Sequence, residues 1–133
     1  MSKRNPVVHF EMPYDDKDRV AKFYESAFGW AMNMTGEEMG NYVVAHTSDT
    51  DENNMVKTPG TINGGFYAKA MTKLAPVTSV VISVDDIHDG IKAVKDAGGE
   101  VLGEPIEIPG IGMYVSFNDT EGNRVSLLQA MRK

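Results

Sequence analysis

The chain has no cysteine among its 133 residues, which removes disulfides, thiolate nucleophiles, iron–sulfur clusters and every zinc site built on Cys. Histidine, aspartate and glutamate are then the strong metal ligands left. Basic clusters are missing as well: 13 Lys and Arg stand against 19 Asp and Glu, a net charge of −6, and no basic run is longer than the terminal pairs. Such a chain offers no electrostatic footprint for nucleic acid or for an anionic membrane surface. No apolar stretch approaches the ~18 residues of a membrane span. The N-terminal MSKRNP lacks the apolar segment of a signal peptide, so a cytoplasmic location is predicted. At 41% hydrophobic and 24% charged residues, residues 1–133 read as a single globular domain.

What is present is an internal repeat at an offset of 70 residues. PVVHFEMPYDDKDRVAKFYESAFGW, from Pro6, lies without a gap over PVTSVVISVDDIHDGIKAVKDAGGEV, from Pro76, with identities at Pro6/Pro76, Val7/Val77, Asp15/Asp85, Asp16/Asp86, Lys22/Lys92, Ala27/Ala97 and Gly29/Gly99. Neither copy is large enough to bury its own apolar face, so two modules, about 6–70 and 76–130, are expected around a cleft. In each, an alternating strand runs into Asp15 or Asp16, or Asp85 or Asp86, as the cap of a helix that ends at Gly29 or at Gly98 and Gly99. Further strands are predicted near residues 30–34, 41–46 and 61–68, and near 100–103, 112–118 and 123–129, with a polar, solvated loop at SDTDENNMVKTPG. Each half therefore reads β-α-β-β-β, and the fold class is α+β, two βαβββ modules with curled mixed sheets forming the cleft.

Alternation also gives the strand positions that point away from the helices. These are Val7, His9 and Glu11; Asn63, Gly65 and Tyr67; Val77, Ser79, Val81 and Ser83; Tyr114 and Ser116; and Arg124, Ser126 and Leu128. Such a mixed lining suits a small organic ligand. His9 and Glu11 share one strand face and form the acid and base candidates. His46 and His88 read as surface residues, Trp30 and Phe66 as core. Gly64 and Gly65 read as a bend or as room for a ligand, and Ile108 to Gly112 as a connector or a closing loop.

The strand histidine, the FYESAFGW helix end, the second helix with its Gly-Gly, and the EIPGIG and DTEGN segments together resemble the vicinal oxygen chelate superfamily of glyoxalases, bleomycin resistance proteins and extradiol dioxygenases. The resemblance covers nearly the whole chain and implies paired βαβββ modules. It also implies, in metal-dependent members, one ligand from each of four strands, and these positions fall on His9, near Gly65, on Ser79 and on Ser126. Glycine has no ligand atom and neutral serine is a poor ligand, so no metal and no cofactor is expected. Besides a vestigial cavity in a protein that acts by assembly with a partner, two functions stay open. The first is metal-independent binding of a small molecule by His9, Glu11, Tyr67, Ser79, Tyr114 and Ser126. The second is a glyoxalase-like lyase or isomerase using His9 and Glu11, or a metal completed by another ligand. The resemblance and the exposed strand edges also predict a homodimer.

Overall fold

The computed structural model describes residues 4–53 and 55–131; residues 1–3, 54, 132 and 133 lie outside them. The chain order is β1 (Val7–Tyr14), α1 (Lys17–Phe28), β2 (Ala31–Met34), β3 (Val43–His46), β4 (Asn63–Ala68), β5 (Ser79–Ser83), α2 (Ile87–Asp96), β6 (Glu100–Ile108), β7 (Gly112–Asn118) and β8 (Arg124–Ala130). The fold is α+β, and β-α-β-β-β occurs twice. Contacts group the residues into two compact units, His9–Thr78 and the stretch from Ser79 onward together with the residues up to Val8.

In the unit 9–78 the strands run in the order β2-β3-β4-β1, with β1 parallel to β4 and the other neighbours antiparallel. In the second unit the order is β5-β8-β7-β6, with β5 parallel to β8. Pro6 belongs to this second unit, where its carbonyl accepts the Ser83 N–H at 2.9 Å. The parallel pair in each unit follows from connectivity: the helix returns the chain so that the next strand runs in the sense of the first, and two antiparallel steps then bring the last strand back to that same sense.

The helix caps settle which aspartates start the helices. The Asp16 carboxylate accepts the Arg19 N–H at 3.0 Å, and Asp86 accepts those of His88 and Asp89 at 2.8 and 3.1 Å. Gly29 ends α1 at φ 72°, a left-handed position that glycine adopts without strain. On α1 the inward residues are Val20, Ala21 and Tyr24, whereas Phe23 and Phe28 stay on the surface at 57% and 63% exposure. Val20, Phe23, Tyr24, Ala27 and Phe28 recur at helical spacing, a stripe wider than the core covers.

Each unit has its own core on the helix side of its sheet. Around Tyr14, Val43, Ala45 and Phe66 gather Phe10, Met12, Tyr24, Trp30 and Met32, so the core of unit 9–78 is aromatic. Tyr24 stacks on Trp30 at 4.6 Å and lies 5.2 Å from Phe66. In the other unit Val84, Ile87, Val115, Phe117 and Leu127 are joined by Ile82, Ile91, Val94 and Val101, an aliphatic core with one aromatic ring.

Two stretches differ from the expected pattern. Strand β6 continues to Ile108, past a register shift between Leu102 and Ile106 where Gly103 has φ 86°. Consequently residues 108–112 are the tight turn of the β6–β7 hairpin. Ile111 N–H donates to Ile108 C=O at 2.9 Å, and Ile111 C=O accepts the Met131 N–H at 2.8 Å, which ties the segment down rather than leaving it as a closing loop. The DTEGN turn forms as expected: Asp119 accepts the N–H groups of Glu121 and Asn123 and the Asn123 side-chain amide. These bonds, led by the Asn123 side chain, lower the Asp119 carboxyl below its ordinary range.

Candidate functional site

Parallel pairing of β1 with β4 sets His9 opposite Asn63 and Glu11 opposite Gly65. On the other side of β4, Gly65 is opposite Val44 of β3, and Val44 in turn is opposite Asn33 of β2. Side chains alternate along strands, so His9 and Glu11 share the face turned away from the core that holds Phe10 and Met12.

The residue that joins His9 to Glu11 is Tyr42, immediately before β3. Its hydroxyl donates to Glu11 Oε2 at 3.1 Å and lies 3.0 Å from His9 Nε2. With the phenolic proton directed at the carboxylate, the oxygen accepts from His9 Nε2–H, a donor that the neutral Nε2–H tautomer supplies. Burial favours the same state by lowering the His9 pKa from its ordinary 6.5. A phenol-to-carboxylate bond of this kind contributes about 1.5–3 kcal/mol.

The chain positions Tyr42 through its backbone. After a short 3₁₀ turn, Glu37–Met39, two consecutive left-handed residues, Gly40 (φ 65°) and Asn41 (φ 57°), reverse the chain. Asn41 accepts left-handed geometry more readily than most side chains do. Its carbonyl receives the Tyr14 hydroxyl at 2.7 Å, and the Tyr42 carbonyl receives both Thr35 Oγ1 and Thr35 N–H, at 2.6 and 3.0 Å. Burial raises the Tyr14 pKa, so that donor stays protonated.

Gly64 and Gly65 make room for rings from opposite faces of β4. A Cβ at Gly64 would overlap the Phe10 ring in the core, and a Cβ at Gly65 would overlap the Tyr42 ring on the other face. Neither glycine has positive φ and both pair regularly, so the pair is neither a bulge nor a sharp bend. It is a steric vacancy filled by the chain's own rings.

The remaining sequence-selected residues separate into smaller groups. Tyr67 donates to Val77 C=O at 2.9 Å and accepts Val77 N–H at 3.0 Å. Ser79 begins β5 and is buried. Tyr114 and Ser126 come together with their hydroxyl oxygens 2.8 Å apart, and Ser116 reaches the same Ser126 oxygen at 2.9 Å. Ser126 is 1% exposed and Val81, its partner across the ladder, 2%. His46 ends β3, and exposed His88 lies in the first turn of α2. A surface groove lined by Arg19, Lys22, Phe23, Ser26 and Ala27 lies on α1, not on the sheet face of His9.

Tyr42 escaped the sequence reading because its face depends on the register of β3 with β4. One signal for it exists: Tyr114 lies 72 residues after Tyr42, and Val115 and Ser116 follow it as Val43 and Val44 follow Tyr42. In the folded chain the two tyrosines are equivalent. Each stands two residues before the one that faces an inner position of the unit's last strand, Val44 opposite Gly65 and Ser116 opposite Ser126.

A doubled βαβββ unit, with β1 and β5 each parallel to the last strand of its own unit, defines a paired-module class of protein. A family model described as Glyoxalase/Bleomycin resistance protein/Dioxygenase superfamily matches residues 7–127, and the chain belongs to that superfamily. It is 30% identical over 116 residues to a glyoxylase-like domain-containing protein of Didymella fabae, covering 85% of this chain and 84% of that one. To a probable lactoylglutathione lyase of Vibrio parahaemolyticus it is 29% identical over 126 residues, covering 92% and 89%. Methylmalonyl-CoA epimerase from Mycobacterium tuberculosis shares the fold with a TM-score of 0.67 at 13% identity, covering 95% of this chain and 88% of that one.

The ligand set implied by the resemblance does not fit these residues. The space beside Gly65 is taken by Tyr42, and the Ser126 hydroxyl is engaged by Tyr114 and Ser116. Among the described residues, no group of three or more His, Asp or Glu is placed to hold an ion.

Proposed function

We propose that the chain is a glyoxalase- and bleomycin-resistance-like protein that binds a small organic ligand on the sheet face of His9, Glu11 and Tyr42, without a metal. The observation that carries this reading is the phenol bridge: Tyr42 holds the imidazole and the carboxylate in one hydrogen-bonded set. Glu11 supplies a carboxylate to this face, and strands β1 to β4 carry no Lys or Arg. The ligand class favoured is therefore one that offers N–H or O–H donors, neutral or cationic, to the Glu11 carboxylate.

The test combines metal analysis with a thermal-shift panel of neutral heterocycles, amines and small carboxylates. Protein purified without chelator is expected to hold well under one equivalent of zinc, nickel, iron or manganese. Stabilisation is expected from donor-bearing compounds and is lost in Glu11→Gln. A stoichiometric metal that disappears in His9→Ala, or stabilisation by carboxylates alone, would overturn the reading.

An enzyme reading has its own support in the same bridge. A neutral imidazole and a carboxylate linked through one phenol form a path for moving a proton, as a lyase or isomerase requires, and the Vibrio parahaemolyticus relative carries a lyase name. Turnover of an α-hydroxy carbonyl substrate, lost in Glu11→Gln, would favour it over binding alone. The protein is further proposed to be a cytoplasmic homodimer, which light scattering tests by its mass; among the described residues no helix is long and apolar enough to cross a membrane.

A further inference from the structure

We propose that Tyr42 and Gly65 are a coupled pair that keeps this site closed to metal: the phenol occupies the space of a side chain at 65 and engages both His9 and Glu11. The inference rests on the metal-free reading above and adds its cause. Three observations carry it. A Cβ at 65 would fall within the Tyr42 ring, so the ring and a side chain at 65 exclude each other. The hydroxyl of that ring is bonded to Glu11 and lies at hydrogen-bond distance from His9. The second unit supplies the contrast: at the equivalent strand position Ser126 has a side chain, and there the Tyr114 hydroxyl lies 2.8 Å from the serine oxygen, so the exclusion comes from the overlap of the Tyr42 ring with position 65 and not from the tyrosine position alone.

The backbone makes the exclusion persistent. Thr35 and Tyr14 hold residues 41 and 42 through three hydrogen bonds, so the phenol is presented from a fixed turn and does not depend on a long flexible side chain. Because Gly65 has an ordinary extended conformation, alanine there is penalised by the ring and not by the backbone. The cost of a side chain at 65 therefore depends on whether Tyr42 is present.

A double-mutant cycle reads this dependence. Gly65→Ala is expected to lower the melting temperature by roughly 5 °C or more in the parent chain, and to leave it unchanged within error in a Tyr42→Ala background. Removing the ring and supplying a carboxylate, in Tyr42→Ala/Gly65→Glu, is expected to tighten Ni²⁺ binding by calorimetry at least ~10-fold over the parent, with the gain abolished by adding His9→Ala. Additive melting shifts, or no gain in Ni²⁺ affinity by a folded double variant, would overturn the pair while leaving the metal-free reading intact. Stoichiometric metal in the parent protein would overturn that reading itself. Should Tyr42→Ala fail to fold, the parent chain still decides: a nuclear Overhauser contact between the Tyr42 ring and the Gly65 α-protons is expected, and its absence rejects the proposal.

Discussion

The unit 9–78 and the unit that begins at Ser79 share one connectivity and one tyrosine position, yet they fill the strand face differently. In the first, the phenol of Tyr42 meets a carboxylate and an imidazole over a glycine. In the second, the phenol of Tyr114 meets the hydroxyl of Ser126 and through it that of Ser116, and Ser126 is sealed from solvent. The same frame occurs twice, but where β1 carries His9 and Glu11, β5 carries Ser79 and Val81 at the positions 70 residues on. The cores diverge in parallel: stacked aromatics lie beneath the charged set, aliphatics beneath the hydroxyl set.

The largest expected effect tests whether those cores stand independently. Phe66→Ala removes a fully buried ring and should cost about 3–5 kcal/mol, and Leu127→Ala in the other unit about 2–5 kcal/mol. Trp30, the one tryptophan, sits among Phe10, Tyr24 and Phe28 in unit 9–78, so its fluorescence reports on that unit. Urea unfolding followed by fluorescence and by circular dichroism should coincide for Leu127→Ala if the two units unfold together; a fluorescence midpoint left at the parent value would show two separate transitions.

Next in size is the buried hydroxyl set. Ser126→Ala removes a buried oxygen bonded to two half-buried hydroxyls and, at about 0.5–1.5 kcal/mol for each bond, should cost about 1–3 kcal/mol in the same urea titration. A neutral result would mean that the set contributes little beyond packing. The helix caps come after it: Asp86→Ala and Asp16→Ala should each cost about 1 kcal/mol, with the larger loss at Asp86, which accepts two N–H groups against one.

The smallest effect concerns pH. Because burial depresses the folded pKa of His9 below 6.5, the unfolded chain takes up its proton first as pH falls. Stability contributed by the neutral imidazole is then complete above 6.5, declines as pH falls from there toward the lowered folded value, and is flat below it. The difference in stability between the parent and His9→Gln should change across that interval and stay constant above it. A difference that changes only above pH 7 would reverse the assigned direction.

Local chemistry made the doubled β-α-β-β-β order legible, because Asp caps, glycine stops and period-two alternation act within a few residues. His9 and Glu11 were legible for the same reason, lying two apart on one strand. Tyr42 was not, since its place over Gly65 depends on the pairing of β3 with β4 across a long polar loop. Strand β6 was predicted too short because Gly103 and Pro105 read as an ending, whereas the structure absorbs them in a register shift and continues to Ile108. The surface position of Phe23 and Phe28 was also hidden, because helical spacing identifies an apolar stripe but not how much of it the sheet can cover.

The hydroxyl of Tyr67 touches both backbone groups of Val77, donating to the carbonyl and accepting from the amide. In effect one side chain plays the part of a neighbouring strand for a residue that lies outside any ladder. It closes the stretch between residues 67 and 77 into a ring, so the chain leaves β4 along a route fixed at both ends. Val77 is thereby tied to the end of β4 without belonging to the sheet. The tie is a latch set by a phenol and not by the sequence of the strap it holds.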